Sequence, residues 1–176
     1  PIYNAHGKVT QIRQVAKPGV LPMLPDIVVD AQYPEASAQM CANPGLCNEP
    51  TWTRDALGRQ TDFAYETQAG LTFGMLLSVT KPAPGSGPTP TVRPQTRYAY
   101  DTTSGIARVA SVKSCRTTAT CAATADETVV ETTYNAKRVP SLVVTRAGNN
   151  TTTFTVTNSR VAMTYTPQGD VESVDG

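Results

Sequence analysis

The residues that could carry chemistry in this sequence are few, and His6 is the only histidine. With one histidine we recognise no Ser-His-Asp or Cys-His set and no multi-histidine metal site. His6 lies in a stretch typical of a turn, where a solvated side chain is the simpler interpretation. We therefore predict no catalytic role for it.

Two carboxylates that face one cleft can act as general acid and base. The candidate pairs are Asp26 with Asp30, Asp62 with Glu66, and Asp126 with Glu127. A turn or a solvated strand face explains each pair more simply. The Gly-Ser-Gly-Pro stretch lacks the Lys and the helix of a phosphate loop, and no Asp-x-Asp-x-Asp cluster indicates calcium. The prediction is a protein that is not an enzyme, with no cofactor and no metal.

Four cysteines form two pairs with equal spacing, Cys41 with Cys47 and Cys115 with Cys121. This spacing suits a disulfide that closes a small surface loop, whereas zinc ligands usually lie closer together with a second pair nearby. Two local disulfides would indicate an oxidising compartment. The alternative is four reduced thiols in loops.

The elements that must position these residues are predicted to be strands. Thr is the most frequent residue, and the chain contains 14 Pro and 12 Gly. The β-branched Thr and Val favour pleated strands, so the composition predicts an all-β fold. The one helix candidate is short, at 34–40. A net charge of +1, with scattered basic residues, gives no field for nucleic acid. The apolar runs are too short for a membrane-spanning segment.

A degenerate unit recurs along the chain: a Tyr, a turn-forming Asp or Asn, a Gly, and an alternating segment. Its copies contain Tyr3, Asn4 and Gly7; Asp55 and Gly58; Tyr65 and Gly70; Tyr100, Asp101 and Gly105; Tyr134, without a Gly; and Tyr165 and Gly169. The pattern predicts a hairpin in which Tyr ends one strand, Asp or Asn starts the turn, and Gly takes the positive φ. A single hairpin is barely stable, so we expect the units to join into one antiparallel sheet.

Pro-rich segments separate the units. Residues 17–50 form a Pro-rich insertion that contains the first Cys pair, and residues 81–94 form a loop rich in Pro, Gly and Ser. Because units occur on both sides, we predict one segment, 1–176, with long loops at the rim of a continuous sheet. The sequence starts and stops within the pattern, so we expect a fragment of a longer protein.

The stretches YNAHGKVT, RDALGRQT, YDTTSGIARVASV and YTPQGDVESVDG resemble the YD repeats of the bacterial Rhs family. Similar repeats occur in the C components of insecticidal toxin complexes and in teneurins. The resemblance implies a curved or spiralling sheet that forms a hollow shell, which in polymorphic toxins encloses a C-terminal toxin. It implies a secreted or cell-surface bacterial protein, with neighbouring repeats of the same polypeptide and a toxin cargo as partners. The Asp-Pro-x-Gly type motif of self-cleavage is absent, so no autoproteolytic residue is expected.

Aromatic residues offer an alternative function, because their faces can stack on sugar rings. The candidates are Tyr3, Tyr65, Tyr98, Tyr100, Tyr134, Tyr165 and Trp52. Recurrence of Tyr at one place in the unit instead favours cross-strand packing. We therefore expect a structural shell segment, with a cell-surface adhesion or carbohydrate-binding module that recognises glycans as the alternative.

Overall fold

The computed structural model describes residues 1–19, 25–34, 46–83, 92–115, 118, 120–148 and 159–176. They form one open sheet of 12 strands, in which every strand pairs with its neighbours in sequence. The strands are β1 (Ile2–Tyr3), β2 (Val9–Gln14), β3 (Ile27–Gln32), β4 (Trp52–Arg54), β5 (Gln60–Tyr65), β6 (Leu76–Thr80), β7 (Gln95–Asp101), β8 (Arg108–Cys115), β9 (Glu127–Tyr134), β10 (Pro140–Ala147), β11 (Ser159–Tyr165) and β12 (Val171–Asp175). All pairings are antiparallel, which confirms the predicted all-β fold.

A register irregularity accompanies each Tyr of the recurring unit. The strand pairing shifts beside Tyr3, Tyr65, Tyr100 and Tyr165, and it shifts on β10 opposite Tyr134. A β-bulge of this kind bends a strand and increases its local right-handed twist. The sheet is therefore expected to twist more strongly along the rim where these tyrosines lie.

The Pro-rich segment 17–50 contributes an element that its composition did not predict. Residues 27–32, with the sequence IVVDAQ, form β3 between Pro25 and Pro34, and β3 pairs with both β2 and β4. β-Branched residues suit such a strand, and the flanking prolines fall outside its hydrogen-bonded ladder. A 3-10 turn follows at Leu46–Asn48. The helix candidate at 34–40 lies, except for Pro34, outside the described residues.

The loop at 81–94 is described only at its two ends, where it is closed by hydrogen bonds. The Lys81 N–H donates to the Pro94 carbonyl at 2.9 Å. The Arg93 side chain donates to the Lys81 carbonyl at 3.2 Å and to the Gln60 carbonyl at 2.6 Å. The rim loop is thus anchored onto β5 through Arg93.

Few side chains of the described part of the chain are buried, because a single sheet has no second layer to pack against. The buried apolar residues there are Leu46, Cys47, Cys115, Cys121 and Val129, and the buried charged residue is Glu127. Large apolar side chains such as Val15 and Leu57 remain mostly exposed. Among the described residues, no helix is long and apolar enough to cross a membrane.

Candidate functional site

The turn that starts at Asp55 shows how the recurring unit folds. The Asp55 N–H donates to the Arg59 carbonyl at 3.1 Å, and the Gly58 N–H donates to the Asp55 carbonyl at 2.9 Å. The Asp55 carboxylate accepts the backbone N–H groups of Leu57 and Arg59 at 2.9 and 3.0 Å. These hydrogen bonds hold the pKa of Asp55 below its ordinary value, and the bond from the Arg59 N–H contributes most. An Asx turn of this kind fixes the direction of the return strand.

The turns that start at Asn4, Asn135 and Thr166 have the same pair of backbone hydrogen bonds. In the first two, the amide oxygen of Asn accepts the backbone N–H groups two and four residues ahead, as the Asp55 carboxylate does in its own turn. In the last, the Thr166 hydroxyl accepts the Asp170 N–H at 3.2 Å. The turns of four hairpins therefore have the same backbone hydrogen bonds. In sequence, the feature common to all four is an Asn, Asp or Thr at the first position of the turn.

The fourth residue of these turns has a left-handed backbone. The φ angles are 74° at Gly7, 75° at Gly58, 68° at Arg138 and 102° at Gly169. Glycine adopts this region without steric cost, but a residue with a Cβ does not. Arg138 thus occupies the glycine position in the copy of the unit that lacks Gly.

The two longer turns place their glycines differently. After Asp101, whose pKa is lowered by the Thr103 N–H, Gly105 has a φ of 74° as expected. After Tyr65, Gly74 and not the predicted Gly70 has the left-handed conformation, with a φ of 75°. The turn is longer than the spacing indicated, because the Glu66 carbonyl accepts the Gly74 N–H at 2.9 Å.

Four of the unit's Tyr hydroxyls donate to a backbone carbonyl near the start of the preceding strand. The pairs are Tyr65 to Pro50 (3.2 Å), Tyr100 to Leu76 (2.7 Å), Tyr134 to Val109 (2.7 Å) and Tyr165 to Pro140 (2.6 Å). Burial raises the pKa of Tyr65 to about 12 and raises the pKa of Tyr100. Tyr3, at the end of β1, is 57% exposed.

The structure describes one of the two predicted disulfides completely. Cys115 and Cys121 are bonded, with their Cα atoms 5.5 Å apart, as the sequence predicted. Cys47 is also disulfide-bonded. Its predicted partner, Cys41, lies outside the described residues.

The carboxylates considered for catalysis have separate structural partners. Asp26 accepts the Arg13 side chain and the Ala16 N–H, of which the latter contributes most to lowering its pKa. The other contacts join Asp30 to Gln11, Asp62 to Arg93, Glu66 to Gln68, Asp126 to Thr118, and Glu127 to Arg97. Among the described residues, no group of three or more His, Cys, Asp or Glu is arranged to hold a metal ion.

A cleft of about 400 Å³ lies beside the first turn and contains aromatic and amide groups. It is lined by His6, Asn4, Thr10, Gln32, Tyr33 and Trp52, together with small residues. The Trp52 indole N–H donates to the Gln32 side-chain oxygen, and the Arg54 guanidinium lies 4.9 Å from the centre of the Trp52 ring. The sequence pattern does not indicate Tyr33, because this residue follows β3 and lies outside the recurring unit. Of the predicted aromatic candidates, this aromatic cleft includes Trp52 alone.

A second cleft of about 510 Å³ lies over β7 to β10 beside the disulfide loop, and charged side chains line it. Arg97, Lys113, Arg146 and Glu127 contribute to its wall. Nothing in the sequence indicated this cluster, since its members come from four strands that are far apart in the chain.

No family model matches the sequence, and no curated protein matches it.

Proposed function

We propose that this chain is a structural wall segment of the YD-repeat (Rhs) type, part of a large secreted or surface-delivered bacterial protein. The observation that supports this proposal most strongly is the combined recurrence of three features. The shared turn, the register irregularity at its Tyr, and the bond from the Tyr hydroxyl to the preceding strand occur together in the two hairpins β9–β10 and β11–β12. Such a unit extends a sheet by two strands each time it is repeated.

The function of a wall is containment. Successive antiparallel strands leave no unpaired edge in the middle of the sheet, so the wall excludes partners from the enclosed space. We propose that the enclosed space holds a C-terminal toxin or effector cargo until its release. The buried disulfide is compatible with an extracytoplasmic location.

The outer strands favour continuation into further repeats of the same polypeptide. Ile2 on β1 is 56% exposed, and Val171 and Val174 on β12 are 57% and 64% exposed. Unpaired edge strands with exposed apolar side chains readily pair with another strand. In the proposed shell, neighbouring repeats cover both edges.

Protease protection of the native polypeptide tests the containment function. Under native conditions we expect any segment C-terminal to the wall to resist a protease that cleaves the same segment once the wall is denatured. Equal cleavage rates before and after denaturation would contradict containment. If no segment is found inside the wall, the proposal of a structural wall would stand, but the proposal of an enclosed cargo would be contradicted.

The aromatic cleft supports a second candidate function, carbohydrate binding at a cell surface. An aromatic face combined with a few convergent amide and hydroxyl groups is typical of small-ligand sites, and Trp52, Tyr33, Asn4 and Gln32 supply them here. A glycan array tests it, with Trp52→Ala as the variant and Leu57→Ala as an exposed control. Retention of the same glycans by wild type and Leu57→Ala, but not by Trp52→Ala, would support binding. No retained glycan would contradict it.

A further inference from the structure

Three cations lie in one row across four neighbouring strands. The strand register places Arg97 opposite Lys113, Lys113 opposite Val129, and Val129 opposite Arg146. Residues directly opposite each other on neighbouring strands share one face of the sheet. Because like charges directly opposite each other destabilise a sheet, the placement of Arg97 opposite Lys113 has an energetic cost.

Two carboxylates compensate two of these cations. Arg97 Nη2 donates to Glu127 Oε1 at 2.5 Å, and Arg146 Nη2 donates to Glu131 Oε1 at 2.7 Å. Within the part of the chain that the structure describes, Lys113 has neither a hydrogen bond nor an ion pair through its side chain. The row therefore carries one positive charge that no neighbouring carboxylate compensates.

This charge borders the 510 Å³ cleft, whose lining includes several small residues between the charged ones. Ala99 and Ser111 leave room on the strands, and Ala122 and Ala123, which directly follow Cys121, form one wall. This wall is held in place by the Cys115–Cys121 bond and by the Ala123 N–H, which donates to Glu127 Oε2 at 2.9 Å. The volume lies within the usual range for small-molecule sites, and the wall is fixed before any ligand arrives.

We infer that this cleft binds a sugar-sized organic molecule that carries one carboxylate, with the carboxylate placed against Lys113 and Arg97. Ammonium and guanidinium groups donate strong charge-assisted hydrogen bonds to a carboxylate. One negative charge matches the one uncompensated cation, whereas a phosphate group, at about −1.5 to −2, would exceed it. A bound carboxylate would also relieve the repulsion between Arg97 and Lys113. The inference is independent of the proposed wall function.

Thermal unfolding of the 176-residue chain tests the inference, with D-galacturonate as the probe and D-galactose as its neutral counterpart at equal ionic strength. A ligand that binds only the folded state raises Tm as its concentration increases. Galacturonate is expected to raise Tm progressively, and galactose is expected to raise it less. No rise with galacturonate, or equal rises with the two sugars, would overturn the inference.

Lys113→Met removes the charge while keeping most of the length of the side chain. It should weaken galacturonate binding by about tenfold or more, the loss expected for one charged hydrogen bond. Without ligand, the variant should melt at the same temperature as wild type or above it, because the repulsion between the charges of Lys113 and Arg97 is removed. Lys17→Met, at an exposed lysine beyond β2, is the matched control and should bind as wild type does.

Two results with these variants would contradict the inference. If Lys113→Met binds galacturonate as tightly as Lys17→Met, the cleft does not use Lys113. If Lys113→Met melts several degrees below wild type, the lysine has a structural role that the carboxylate site does not explain.

Discussion

Arg138 occupies a position where the equivalent turns have Gly, and its φ of 68° is left-handed. A Cβ in this region costs about 1–2 kcal/mol. Arg138→Gly is therefore expected to raise the free energy of unfolding by about 1 kcal/mol, as measured by chemical denaturation. Arg138→Ala keeps the Cβ and should give little of this gain. Equal effects of the two substitutions would show that backbone strain is not the cause.

Gly58 provides the converse test. A Cβ at Gly58 would meet no atom within 4 Å, so any cost of a side chain comes from its φ of 75°. Gly58→Val should lower the free energy of unfolding by about 1–2 kcal/mol or more. Leu57→Ala, in the same turn at a residue 76% exposed, should change it by less than about 0.5 kcal/mol. Similar losses in both variants would contradict the assignment of the turn.

The hydroxyl of Tyr134 is expected to contribute to stability through its bond to the Val109 carbonyl. Tyr134→Phe removes the donor and should cost about 1 kcal/mol in chemical denaturation. Tyr3→Phe is the matched control, since Tyr3 is exposed and lies on the first strand. A stability of Tyr134→Phe equal to that of Tyr3→Phe would mean that the hydroxyl bonds do not join the strands energetically.

Ionisation of Tyr65 is expected to lower the stability of the folded chain at high pH. Burial raises its pKa in the folded state to about 12, from an ordinary value of 10.0. Because the unfolded chain loses this proton first, stability is full below pH 10 and falls as the pH rises towards 12. Tyr65→Phe should make this fall shallower in denaturation measured across that range. An unchanged slope would show that Tyr65 does not cause it.

At the scale of the strand pair β9–β10, the position of Gly148 has no room for a side chain. A Cβ there would come within 2.7 Å of the Glu127 Cβ, so the buried ion pair of Glu127 with Arg97 would have to move. Gly148→Ala should therefore cost about 1–3 kcal/mol. Gly70→Ala is the matched control, because a Cβ at Gly70 meets nothing within 4 Å and its φ is ordinary. Comparable thermal stability of the two variants would contradict this account.

The sequence predicted the elements that depend on local chemistry. Asn4, Asp55 and Asn135 could be identified as turn starts because their side chains bond to the backbone only two and four residues ahead. The prediction that Gly70 has the left-handed conformation was wrong. The turn after Tyr65 contains two glycines, and the hydrogen bond from the Gly74 N–H to the Glu66 carbonyl, which the sequence pattern does not show, places Gly74 in that conformation. β3 was missed because the prolines around IVVDAQ resemble those of a loop.

The two clefts illustrate what a sequence pattern cannot supply. Lys113 lies opposite Arg97 only because the β7–β8 register places it there, and the Arg146 contribution depends on three successive registers. Tyr33 approaches Trp52 only through the pairing of β3 with β4. Each site depends on the accumulated alignment of strands, and a shift of one residue would move its side chains to the other face.

At the scale of the whole molecule, the open sheet accounts for the small core among the described residues. In this part of the chain the strands are stabilised by pairing and by contacts such as that of Tyr165 with Pro140, rather than by a second layer. The outer strands β1 and β12 carry exposed apolar side chains, among them Ile2, Val171 and Val174. An isolated chain of this kind is expected to self-associate through these edges.

The central claim is that this sheet is one part of a longer wall. The most direct test is the mass of the native polypeptide that carries it, determined by blotting with an antibody against residues 1–176 and by mapping its C-terminal end. The account predicts a band several-fold larger than 18.7 kDa, with a further segment after the wall. A native band at 18.7 kDa would contradict it and would favour the carbohydrate-binding alternative.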